Sequence, residues 1–180
     1  MIRLSLDTEH SAASTKTVQA LWKRQWLHYA FRRATVSFSS GDATAAFYEG
    51  QALRGVGDLA GAREALEASL KLIPGQFQAR LLLGQVYLGL KDPKAAEDQF
   101  EAALLTQPQN AEAQLWLARA QIASGNFVEA LRQLGPLSKS QSNNAEVFEL
   151  LAKGYSGLGK KAEAVRAESR AKTLRKKQQP

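Results

Sequence analysis

Residues 77–110 read FQARLLLGQVYLGLKDPKAAEDQFEAALLTQPQN, and this stretch decides the fold. Apolar residues recur in it at the three- and four-residue spacing of an amphipathic helix, twice, with a break at Lys91-Asp92-Pro93. Small residues stand at Gly84, Ala96 and Ala103, large ones at Leu83, Tyr87 and Phe100, and Pro108 closes the stretch. Pro93 suits the first turn of the second helix, where its missing N–H costs nothing. The unit is therefore a helix, a tight turn and a second helix.

The same pattern recurs on both sides. Residues 43–76 place Gly50, Ala62, Leu66 and Pro74 where the first stretch has Gly84, Ala96, Phe100 and Pro108. Residues 111–144 place Ala118, Ala130 and Leu134 at the first three of those positions, and residues 145–178 carry Ala152, Tyr155 and Ala164 in register. The turn repeats too, as Gly57-Asp58, Lys91-Asp92, Gly125-Asn126 and Gly159-Lys160. A helix–turn–helix period of about 34 residues with small and large residues at fixed places resembles the tetratricopeptide-repeat family over residues 43–178. The resemblance implies an all-α, right-handed α-solenoid of about four units, preceded here by an additional N-terminal amphipathic helix.

The recurrence has a physical reason. Gly50, Gly84, Ala118 and Ala152, with Ala62, Ala96, Ala130 and Ala164, let helices approach closely, while Leu66, Phe100 and Leu134 fill the space between successive pairs. No unit buries its apolar face alone, so stacking has to build one continuous core. The expected first helices (A) cover about 43–56, 77–90, 111–124 and 145–158; the second (B) cover about 59–72, 93–105, 127–134 and 161–176. Gly135-Pro136 interrupts the third B helix. A proline there removes a backbone hydrogen bond and crowds the preceding turn, which predicts a kink or early stop followed by a polar loop at 138–144. The residues from Arg175 onward read as a frayed tail.

Ahead of the repeats, residues 1–15 lack a helical period and read as a flexible arm. Residues 16–40, with two of the three Trp, read as an aromatic amphipathic helix through Val18, Leu21, Trp22, Gln25, Trp26 and Tyr29. Such a face must be buried on something. It can cap the first repeat, lie in the concave groove, dock on a membrane surface with Lys23, Arg24, Arg32 and Arg33 beside the aromatics, or meet a partner chain.

Charge is unevenly spread. Residues 1–42 carry six Lys/Arg against three Asp/Glu (+3), residues 43–151 nine against twelve (−3), and residues 152–180 nine against two (+7). With no Cys, disulfides and thiolate chemistry are excluded. No apolar run approaches the roughly 20 residues of a membrane-spanning helix. The N-terminus has Asp7, Glu9 and His10 where a secretory signal needs an apolar run; if Met1 is the true start, a cytoplasmic protein is expected.

No catalytic set, metal site or cofactor-binding loop emerges. His10 and His28 are the only histidines and neither has a Cys partner, too few candidates for a triad or a metal site, and the glycines are accounted for by repeat positions. No enzyme, cofactor or small-molecule substrate is expected. The family resemblance implies a partner groove lined by the A helices. By position its rows are Gln51, Gln85, Arg119 and Lys153; Phe47, Leu81, Leu115 and Glu149; and Arg54, Leu88, Ile122 and Ser156. The family's chaperone-binding members hold a C-terminal carboxylate with a clamp of Lys, Asn and Arg. Phe47 and Gln51 replace its first Lys and Asn, so chaperone-tail binding is not implied. The expected role is a non-enzymatic scaffold or adaptor holding a protein segment with apolar anchors and acidic residues. The alternatives are a membrane-surface or nucleic-acid-associated module acting through the basic ends, and the repeat fragment of a longer protein.

Overall fold

In each pair of helices the first ends in a left-handed turn, and the residues at that turn are the ones that repeat. The computed structural model describes residues 42–178; the expected arm at 1–15 and aromatic helix at 16–40 lie outside them. The described residues form eight helices: α1 (Ala43–Gly55), α2 (Leu59–Leu72), α3 (Phe77–Gly89), α4 (Pro93–Thr106), α5 (Ala111–Ser124), α6 (Phe127–Ser140), α7 (Ala145–Gly157) and α8 (Lys161–Gln178). No strand occurs among them. Gly57, Lys91, Gly125 and Gly159 take φ values of 82°, 63°, 84° and 73°. At each turn the next amide bonds back across the helix end, as from Asp58 to the Leu53 carbonyl (2.9 Å) and from Asn126 to the Gln121 carbonyl (2.7 Å). This closure satisfies carbonyls the helix leaves free. The following residue then caps the B helix at two of the turns: the Asp58 and Asp92 carboxylates accept from Gly61 N and Ala95 N, both at 3.0 Å.

Consecutive helices pack as antiparallel neighbours along the chain. Each of α1, α3 and α5 also touches the next A helix, whereas no two B helices touch among the described residues. The A helices therefore crowd on the inner side of the stack and the B helices spread on the outer side. Leu66, Phe100 and Leu134 are fully buried. A Cβ at Gly50 would come within 2.5 Å of Leu66, and one at Gly84 within 2.5 Å of Phe100, so both small residues are required by close approach.

Two expectations are corrected. Helix α6 does not stop at residue 134; it runs unbroken through Pro136 to Ser140. Pro136 sits on the exposed side, and Leu137, one residue on, is buried against Val147, Leu150 and Leu151. That burial offsets the lost backbone bond. Gly135 removes the Cβ that would collide with the proline ring in helical conformation. The tail is likewise not frayed as far as residue 178: α8 continues, anchored by buried Leu174, by Arg175 donating to Glu149 at 2.9 Å and by Gln178 donating to the Asn143 carbonyl at 3.2 Å.

Candidate partner-binding groove

The inner face is built from the sides of α1, α3, α5 and α7 left open by the packing just described. Of the central row, Gln51 and Lys153 are exposed, while Gln85 and Arg119 are half-buried. Arg54 donates to Gln85 Oε1 at 3.1 Å, which ties α1 to α3 along this face. Arg119 is engaged twice. Its guanidinium lies 4.2 Å from the centre of the Trp116 ring, and it forms an ion pair with Glu146 of α7. Trp116 in turn stacks on Phe100 at 6.1 Å. Partial burial pushes the Arg119 pKa down, yet a guanidinium stays charged at any physiological pH. The result is a brace between two repeats.

The apolar row is divided. Leu81 is buried in a cluster with Phe77, Phe100 and Leu117, so it is part of the core and presents no open surface. Phe47, Leu88, Leu115 and Ile122 are half-buried, each packed at the edge of a cluster. Glu149 is taken by Arg175, and Ser156 is exposed. Trp116 and Glu146, which hold Arg119, do not stand out in the sequence. A signal for Trp116 exists in its position three residues before Arg119 on one helical face; Glu146 has none, because it belongs to the next repeat. His10 and His28 lie outside the described residues.

Among the described residues no helix is long and apolar enough to cross a membrane, and no group of three His, Asp or Glu side chains could hold a metal ion.

Tetratricopeptide-repeat family models match residues 28–77, 47–107 and 88–154. The chain belongs to the tetratricopeptide-repeat family. Solved structures similar to it include MamA MSR-1 C2, at 20% identity and a TM-score of 0.72 over 91% of this chain and 98% of that one. A crystal structure of MamA matches at 16% identity and a TM-score of 0.75 over 97% and 98% of the two chains. The MamA RS-1 ArsTM double mutant matches at 19% identity and a TM-score of 0.72 over 87% and 97%. At these identities the likeness is one of fold. No curated protein matches the chain in sequence.

Proposed function

We propose that the chain is a non-enzymatic scaffold that holds a segment of another protein along the inner face of its A helices, and that it works in the cytoplasm. The observation that carries this reading is the side-by-side contact of successive A helices. It forms one continuous surface from α1 to α7, with half-buried Phe47, Leu88, Leu115 and Ile122 beside the polar row of Gln51, Gln85, Arg119 and Lys153. A surface of apolar sockets flanked by amides and cations suits an extended or helical segment with apolar anchors and acidic residues. Membership of a repeat family whose stacked helices create concave binding surfaces supports it further.

The test reverses the polarity of the row where it braces least. In a Gln51→Glu/Gln85→Glu variant an acidic segment meets two new carboxylates, and Arg54 keeps an acceptor at residue 85. Affinity capture from native lysate treated with nuclease should enrich a partner with the unaltered chain and lose it with the variant, at unchanged melting temperature. Equal capture by both would exclude the inner face.

A further inference from the structure

The last repeat keeps an open cleft of about 670 Å³ between α7 and α8, lined among others by Ala152, Lys153, Lys161, Ala164, Val165 and Glu168. Register says what kind of object it is shaped for. One period earlier, the positions of Lys161, Val165, Glu168 and Ala171 are Phe127, Leu131, Leu134 and Leu137. Those four residues of α6 form the seat in which α7 lies. Val147, Leu150 and Leu151 pack against Leu134 and Leu137; a Cβ at Gly154 would collide with Leu131, and one at Gly157 with the Phe127 ring. In the first repeat Leu59 meets Gly89 of α3 in the same way. The cleft on α8 is therefore the fourth copy of a helix seat.

Its lining has changed in kind. Glu168 stands where the earlier seats have Leu66, Phe100 and Leu134, and Lys161 stands where the third has Phe127. A further apolar repeat helix would have to desolvate both charges. The cleft's acids are already matched within the chain: Glu168 by Lys172 at 2.8 Å and Glu149 by Arg175 at 2.9 Å. Lys153 and Lys161 have no carboxylate partner among the described residues. Between them lies a floor of Ala152, Ala164 and Val165, and Val165 is 61% exposed.

We propose that this cleft docks an acidic amphipathic helix of a partner protein, its narrow apolar face on Ala152, Ala164 and Val165 and its carboxylates beside Lys153 and Lys161. Charge selects this occupant over two others. A second copy meeting the cleft through its own α8 brings a helix with seven Lys/Arg against two Asp/Glu, and the chain's own residues 1–42 are also net basic. Both would add like charge. The cleft shares Lys153 of α7 with the end of the inner-face row, but its test rests on Lys161 and Val165 of α8, which the Gln51→Glu/Gln85→Glu variant leaves unchanged.

The probe is a synthetic peptide with the α7 sequence Ala145–Gly157 carrying Lys153→Glu, added to the full chain and followed by calorimetry. Its control is the same peptide with Glu146→Lys and Glu149→Lys. The acidic peptide should bind, more weakly as salt rises, and the basic control should not. A Val165→Glu/Lys161→Glu chain, altered only at exposed positions, should keep its melting temperature and bind the acidic peptide at least about tenfold more weakly. Three results would overturn the proposal. They are no binding by the unaltered chain, equal binding by the variant, or a concentration-dependent dimer of the chain alone that the same substitutions abolish. The last would make a second copy the occupant.

Discussion

The Tyr87 hydroxyl on α3 donates a 2.8 Å hydrogen bond to Glu67 Oε1 on α2, joining the first repeat to the second. Burial first, and the hydrogen bond and charge of Glu67 after it, push the Tyr87 pKa up from 10.0 to about 12. A folded-state pKa above the unfolded value means the folded chain holds its proton longer. The stability this confers is complete below pH 10 and is lost as pH rises through about 12. Urea unfolding at a series of alkaline pH values should therefore show the unaltered chain losing stability faster than Tyr87→Phe across that window. Parallel curves would mean that Tyr87 does not couple to folding.

Lys91 is the non-glycine among the four left-handed turn residues, at φ 63°. A side chain in that region costs roughly 1–2 kcal/mol relative to glycine, partly offset because glycine has more freedom to lose on folding. Lys91→Gly should stabilise the chain by about 1 kcal/mol. A melting temperature equal to or below that of the unaltered chain would show that Lys91 contributes something the backbone does not reveal.

Local rules make most of the fold legible. The turn glycines, the Asp residues that cap α2 and α4, Pro93 and the small–large register each act within a few residues of themselves, so sequence alone places α1 to α5 and α7 closely. The full length of α6 is not legible in this way. The local cost of Pro136 is overridden by Leu137, whose burial depends on Val147, Leu150 and Leu151 in the next helix. The end of α8 escapes a local reading for the same reason, since Glu149 and Asn143 hold it from a distance. At the groove, position along each A helix is readable. Whether a side chain there is open is not: Leu81 is buried while Leu115, one period later, is half-buried, and Arg119 is engaged by Glu146 from another repeat. Register also holds the clue to the α8 seat, because Glu168 breaks the row of Leu66, Phe100 and Leu134. Its meaning needs the contacts of α7.

Ala96 is fully buried beside Phe100, and Ala62 and Ala130 are buried at the same place in their repeats. Leucine at 96 would force Phe100 and its neighbours apart, and Ala96→Leu should cost about 1–3 kcal/mol. Ala164, the fourth residue of this row, lines the open cleft instead. Ala164→Leu should therefore cost under about 0.5 kcal/mol. Chemical denaturation of both variants checks the pair. Equal costs would mean that the α8 seat is as closely packed as the others.

Pro136 and Gly135 make a coupled prediction. Pro136 is exposed and cannot donate to the Arg132 carbonyl four residues back, so α6 lacks one bond of its ladder. Pro136→Ala should restore the bond and stabilise the chain by about 1–3 kcal/mol. Apart from its chain neighbours, a Cβ at Gly135 would meet nothing within 4 Å, so alanine there fits the space and would ordinarily gain about 0.5–1 kcal/mol in a helix. With Pro136 still present that gain should vanish, because a Cβ before proline disfavours the helical conformation. Gly135→Ala should thus be neutral or destabilising alone and stabilising beside Pro136→Ala, a non-additivity that denaturation of the two single variants and the double variant measures directly. Additive effects would place the tolerance of Pro136 elsewhere, in the anchoring of Leu137 alone.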